Sequence, residues 1–245
     1  MEQMLRQVAE VLRNTTNAVA FTGAGVSTES GIPDFRSSTG IYTQTDNAME
    51  LLSLTTFHAR PKEFYQFFKD SFLRYGDAQP NAAHKVLAKW QREGRLTTLV
   101  TQNVDGLHQA AGSPRVLELH GHTRSVVCLS CDREFPMSDF VIDSETYPRC
   151  PECDKPLKPR VVLFEEPLPQ DVLGEAFAAA QAAEVLIVVG TSLTVSPANY
   201  LVDYRNPRGK LVIINLDPTP YDRYADWVIH GKAGETLTRL DELLS

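Results

Sequence analysis

The chain has 245 residues, with 24 Lys and Arg against 31 Asp and Glu and a net charge of −7. That length fits one large domain or one domain with a small insert, and 42% hydrophobic with 22% charged residues excludes a disordered tail or a fibrous repeat. The acidic balance argues against an electrostatic nucleic-acid partner. The longest charge-free stretch, 185–202, is interrupted by Gly190, Thr191, Ser192, Thr194, Ser196, Pro197 and Asn199, so it reads as a buried strand entering a polar loop, with no membrane association. Residues 1–17 are charged and amphipathic without a leader-like apolar core, which predicts a cytoplasmic protein.

In chain order, Met4, Leu5, Val8, Val11 and Leu12 recur at helical spacing and predict an opening amphipathic helix. A short apolar strand follows over 18–22, stopped by Gly23. Further strands are predicted over 96–101, 116–119, 161–164, 185–189, 211–216 and 226–229, with helices over 81–93, 170–183 and 233–244. Several of these strands are continuous apolar runs, the pattern of parallel strands covered on both faces. Strands alternating with helices define an α/β fold with a Rossmann-like parallel sheet. Two stretches break the alternation. Residues 37–75 open as a polar loop and become aromatic and helical, and 123–160 holds all four cysteines and five prolines. The expected division is a Rossmann-like domain of 1–36, 77–122 and 161–245. A smaller inserted domain would join the helical segment 37–76 to a zinc ribbon of 123–160.

The first strand runs directly into Gly23-Ala24-Gly25-Val26-Ser27-Thr28. Glycines here let backbone amides approach a diphosphate, and a following helix N-terminus adds a favourable dipole. The same residues also fit a plain strand-to-helix turn, because Thr28 stands where a dehydrogenase fingerprint has its third glycine. Ser30-Gly31-Ile32-Pro33-Asp34-Phe35-Arg36 follows, either an ordinary loop or a flap over the ribose end of a dinucleotide. Downstream, the strand at 96–101 turns polar at Gln102-Asn103-Val104-Asp105-Gly106-Leu107-His108, and the strand at 116–119 ends at His120-Gly121. Open α/β sheets bind ligands at the carboxyl ends of their strands, which makes Asn103, Asp105 and His120 candidates against the competing reading of capped turns. With an unperturbed pKa near 6.5, a histidine at such an edge is a usable base.

Cys128-x2-Cys131, 18 intervening residues, and Cys150-x2-Cys153 form a tetrathiolate zinc pattern. Four thiolates fill a tetrahedral site and leave no position for water, so one structural ion per chain is expected. Redox disulfides compete poorly in a reducing compartment. A nucleic-acid-reading ribbon is disfavoured by Asp132, Glu134, Asp139, Asp143, Glu145 and Glu152 in the loop.

The run from Gly23 to Arg36 resembles the first signature of the sirtuins, the NAD-dependent protein deacylases. Thr101 to Asp105 with Leu107-His108, and Leu119-His120-Gly121, resemble the second and third signatures. Gly190-Thr191-Ser192-Leu193 with Pro197-Ala198, Ile213-Ile214-Asn215 and Gly231-Lys232-Ala233 extend the likeness to residues 3–244. The resemblance implies an NAD-dependent removal of acetyl or other apolar acyl groups from protein lysines, yielding nicotinamide and O-acyl-ADP-ribose. His120 would be the base, with Asn103, Val104 and Asp105 holding the carboxamide and ribose. Gln102 would contact the ribose, while Phe35 and Arg36 shield the reactive sugar. Gly23, Ala24, Gly25, Thr28, Thr191 and Ser192 would line the diphosphate, and Asn215 and Ala233 the adenosine. Val162 and Phe164 would line an acyl-lysine tunnel.

Sirtuins usually carry glycine after that phenylalanine, whereas this chain has Glu165. Its side chain either narrows the peptide groove or recruits basic residues beside the lysine. Sirtuins that remove acidic acyl groups share a Tyr-x-x-Arg above the pocket; here Tyr65-Gln66-Phe67-Phe68 lacks the cation, which favours apolar acyl groups. Partners would be acyl-lysine proteins, acted on by a monomer. Two other outputs remain at this level: ADP-ribosyl transfer from the same NAD site, and a non-catalytic NAD-binding zinc scaffold.

Overall fold

The computed structural model describes residues 1–35 and 40–244, so the Arg36 expectation lies outside the described residues. Six parallel strands form the main sheet: β1 (Ala18–Thr22), β2 (Leu96–Thr101), β3 (Val116–Glu118), β7 (Val185–Val189), β8 (Lys210–Asn215) and β9 (Trp227–His230), in the order β3-β2-β1-β7-β8-β9. Every residue of β1 and β7 is buried, because both faces of the sheet are covered. One face packs on α1 (Glu2–Arg13), α6 (Ala82–Arg92) and α10 (Ala233–Leu244), through Leu5, Leu87, Trp90, Leu237 and Leu240. The other packs on α8 (Gln170–Ala182) and α9 (Tyr200–Asp203), through Ala176, Ala180, Leu201 and Val202. From β1 the chain builds outward through β2 and β3, then returns to add β7, β8 and β9 on the opposite side. The carboxyl ends of β1 and β7 therefore flank a topological switch point, where such sheets open a crevice.

The remaining strands, β4 (Gly121–Cys128), β5 (Glu134–Pro136) and β6 (Leu157–Val161), form an antiparallel sheet in the order β5-β4-β6. This revises the strand expected over 161–164. The strand lies earlier, over Leu157–Val161, and tolerates Pro159 because it is an edge strand, where Pro159 opposite Val126 needs no ladder donor. Beyond Val161, Phe164 forms an isolated bridge to Ser53. Among the described residues, four helices lie between β1 and α6: α2 (Ile41–Gln44), α3 (Ala48–Leu51), α4 (Leu54–Ala59) and α5 (Pro61–Ser71). Pro61 opens α5 where a missing N–H costs nothing, and the Ser53 hydroxyl caps α4 by accepting from Thr56 N. Leu52, Phe57, Phe64, Tyr65 and Phe68 from these helices share one core with Val126, Cys128, Cys150, Leu157 and Leu163.

That core also revises the position of the Tyr65-to-Phe68 segment. Both rings are fully buried, and the Tyr65 hydroxyl donates to the Leu157 carbonyl. Helical spacing instead brings Ser71 and Phe72, one turn on, to the cavity wall. Neither is a cation.

Candidate active site

The switch point opens into one cavity of about 930 Å³. Every site residue read from the sequence, other than Arg36 and the four cysteines, lines it. Gly23, Ala24, Gly25, Thr28 and Phe35 come from the loop after β1, and Gln102 to Asp105 from the end of β2, just ahead of the short α7 (Leu107–Ala110). His120 comes from the corner between β3 and β4. Thr191, Ser192, Asn215 and Ala233 follow β7, β8 and β9, and Val162, Phe164 and Glu165 follow β6.

The glycine turn has a reason beyond approach to a ligand. Gly25 N donates to Gly190 O at 2.8 Å, and a Cβ on Gly25 would lie 2.8 Å from that oxygen. A Cβ on Gly190, whose φ is +62°, would lie 2.4 Å from Val26 N. The loops after β1 and β7 thus interlock backbone to backbone, which only glycine permits. The expected α-helix does not follow. The chain makes two single 3-10 turns, Ala24–Val26 and Thr28–Ser30, before reaching the flap. Glu29 holds the second turn in place by accepting from Gly234 N at 2.6 Å, in the first turn of α10.

Ser27 was not singled out by the sequence, yet it is the hub of the polar wall. It is 1% exposed and donates to Asp105 Oδ2 at 2.7 Å while accepting from Asn103 Nδ2 at 3.1 Å. Its third partner is His84 Nε2 at 3.3 Å. The backbone N–H of Asn81 donates to His84 Nδ1 in a capping box, so the ring proton is on Nε2 and points at Ser27. Burial depresses the His84 pKa to about 4, keeping the ring neutral. Asp105 also accepts from Leu107 N at 2.9 Å, and burial raises its pKa against these bonds. No local signal marks His84, because it lies on another helix 57 residues from Ser27.

His120 Nδ1 lies 2.9 Å from the Gln102 carbonyl, which can only accept. The ring proton is therefore on Nδ1, and Nε2 is left as the basic nitrogen. Burial lowers the His120 pKa, with the Gln102 bond opposing. Gly121 makes this corner possible: its φ is +72°, and a Cβ would lie 1.9 Å from Arg160 O. The His120 carbonyl in turn accepts from Val162 N at 2.8 Å, tying the histidine to the apolar wall. Gln102 Nε2 donates to Thr191 Oγ1 at 2.9 Å, bridging the loops after β2 and β7.

Outside the cavity, the ligand atoms of Cys128, Cys131, Cys150 and Cys153 all lie within 4.8 Å of one another. Tetrahedral Zn–S bonds of about 2.3 Å place sulfurs roughly 3.8 Å apart. Cys131 Sγ and Cys150 Sγ are separated by 3.8 Å, too far for a disulfide. The four thiols fit a structural zinc ion. Asp132 and Asp154, each with positive φ, donate their backbone N–H to Cys128 O and Cys150 O, so the two knuckles turn alike.

A doubly wound parallel sheet with a polar cleft at its switch point and a tetrathiolate knuckle beside it defines a nucleotide-cleft α/β protein. The chain belongs to the Sir2 family, whose model matches residues 23–197. It is 46% identical over 238 residues to an NAD-dependent protein deacetylase of Pyrobaculum aerophilum, covering 96% of this chain and 93% of that one. It is 43% identical to an NAD-dependent protein deacylase of Archaeoglobus fulgidus, over 99% of this chain and 96% of that one. Among solved structures, a Sir2 complex with a p53 peptide and NAD+ superposes with a TM-score of 0.88 at 38% identity, each chain covered to 96%. Among the described residues, no helix is long and apolar enough to cross a membrane.

Proposed function

We propose that this protein is an NAD-dependent protein-lysine deacetylase, transferring acetyl or other apolar acyl groups from lysine to ADP-ribose with release of nicotinamide. The observation that carries the reading is the gathering of Asn103, Asp105, His120, Val162 and Phe164 around one cavity at the switch point. NAD, when bound, supplies the ribose that accepts the acyl group. Asn103 and Asp105, held by Ser27, orient the nicotinamide ribose, and Gln102 and Thr191 together brace the adjoining wall. Gly23, Ala24, Gly25, Thr28 and Ser192 border the diphosphate, with Asn215 and Ala233 at the adenosine end. Phe35 and Arg36 would exclude water from the sugar, which matters because water would compete with the acyl-lysine carbonyl oxygen for the anomeric carbon as nicotinamide leaves.

His120 Nε2 takes a proton from a ribose hydroxyl so that this oxygen receives the acyl group. The neutral ring favoured by burial suits that role. Val162 and Phe164 border the acyl-lysine, with the peptide backbone adding as a strand beside Glu165. Cys128, Cys131, Cys150 and Cys153 hold a structural zinc that joins no step. Residues 1–36, 77–122 and 161–245 make the NAD-binding domain, and 37–76 with 123–160 the small domain. The finer reading is a cytoplasmic monomer acting on acyl-lysine proteins; the net charge of −7 supports the absence of a nucleic-acid partner.

The test is incubation with an acetyl-lysine peptide, with and without NAD, following nicotinamide and deacetylated peptide by mass spectrometry. NAD-dependent, stoichiometric appearance of both supports the deacetylase. Nicotinamide without deacetylation points to ADP-ribosyl transfer, and neither product across several acyl groups points to the scaffold.

A further inference from the structure

Glu165 occupies the left-handed backbone region, with φ +76°, on the cavity wall just after Phe164. An L-residue rests there only when something holds it. What holds it is Thr55, in the first turn of α4. A single carboxylate oxygen, Oε2, accepts from Thr55 N at 2.9 Å and from Thr55 Oγ1 at 2.8 Å. The backbone beside it is already stitched to the same segment, since Phe164 N donates to Leu52 O and Leu54 N donates to Phe164 O, both at 3.1 Å. The next residue faces the other way. Glu166 Oε2 accepts from Leu163 N at 2.8 Å and takes the buried Lys158 ammonium at 2.8 Å. Two adjacent carboxylates thus fasten one loop on opposite sides, Glu166 to β6 and Glu165 to α4.

The geometry points to Glu165 as a positioning residue that clasps the peptide-binding wall onto α4 and preforms the acyl-peptide groove. The inference rests on the deacetylase reading for its substrate. It distinguishes a third role from the two open at the sequence: the carboxylate neither narrows the groove nor reads peptide charge as its main task, because Thr55 already engages it. A wall fixed before substrate arrives lowers the ordering cost of binding and so acts on KM.

The experiment compares Glu165→Gly, Glu165→Gln and Thr55→Val on acetyl-lysine peptides flanked by Ala or by Arg. Glycine relaxes the backbone but removes the clasp, whereas the glutamine carbonyl can still accept both Thr55 bonds. Glu165→Gly is expected to raise peptide KM about three- to tenfold, with less than twofold change in kcat. Thr55→Val moves KM in the same direction, the double variant Glu165→Gly with Thr55→Val is no worse than the first alone, and Glu165→Gln recovers most of the loss for both peptides. Amide exchange at 52–55 and 163–166 should accelerate in Glu165→Gly and not in Glu165→Gln. Unchanged KM and exchange in Glu165→Gly would overturn the proposal. So would a Glu165→Gln defect confined to the Arg-flanked peptide, which would make the carboxylate a reader of charge. Should the native protein release no deacetylated peptide, the deacetylase reading fails, while the exchange comparison still judges the clasp.

Discussion

Replacing Ser27 by alanine removes one oxygen that satisfies three buried groups at once. Asp105 loses a hydroxyl donor at 2.7 Å, Asn103 loses an acceptor at 3.1 Å, and the His84 Nε2–H loses its acceptor at 3.3 Å. Leaving a buried polar group unsatisfied costs about 1–3 kcal/mol, and the longest of the three bonds counts least. Ser27 also borders the cavity, so water entering the gap offsets part of the loss. The net expectation is about 2–3 kcal/mol of stability, which for a chain of this size lowers Tm by roughly 4–12 °C. Activity falls further than stability, because Asn103 and Asp105 are no longer held in register. A roughly 10- to 100-fold loss in kcat/KM is expected for such misplacement. Loss of the hydroxyl also removes a bond that lowers the Asp105 pKa, so a carboxyl already raised by burial rises again. Its deprotonated form then requires higher pH, and any limb of the pH–rate profile due to Asp105 shifts upward. Denaturant unfolding with steady-state kinetics across pH tests this. A variant with native kcat/KM and a stability within 0.5 kcal/mol of the parent, on the order of an ordinary surface change, would show that Ser27 is not the hub.

Gly121→Ala forces a Cβ to within 1.9 Å of Arg160 O at a φ of +72°. The left-handed backbone alone costs about 1–2 kcal/mol and overpacking adds roughly 1–3. The same shift displaces His120, so unfolding and turnover should both suffer, and an intact Tm would contradict the clash. Chelation should release one zinc per chain and loosen the core that Cys128 and Cys150 share with Leu157 and Phe68, read as a fall in Tm with metal in the filtrate. Acid should destabilise the fold between about pH 6.5 and 4. His84, His108 and His120 are all depressed by burial, so the unfolded chain binds more protons in that window and stability is lost as pH falls. His84 alone, moved from 6.5 to about 4, contributes roughly 3 kcal/mol of that loss by pH 4, and a flat urea midpoint from pH 7 to 5 would refute it. The depressed His120 likewise predicts an acid limb of kcat/KM below pH 6.5 that disappears in His120→Asn.

Features carried by short, contiguous patterns were legible along the chain. Apolar runs at 18–22 and 185–189 gave parallel strands, two Cys-x2-Cys pairs gave the metal cluster, and polar residues ending β2 gave the cavity wall. Local propensity and spacing encode such elements, because neighbours along the chain are neighbours in space. Which distant groups meet depends on how the elements pack. Gly25 faces Gly190 because β1 and β7 are adjacent in the sheet although more than 160 residues separate them. Ser27 became a hub only when α6 delivered His84, and Glu165 met Thr55 only when the loop after β6 crossed α4. The strand at 157–161 carries Pro159, which is tolerable only on an edge, and whether a strand is an edge is a property of the assembled sheet. Hydrogen bonds between remote residues leave no periodic trace in the chain; they are fixed by the packing of whole elements, and that packing placed the supporting residues of this site.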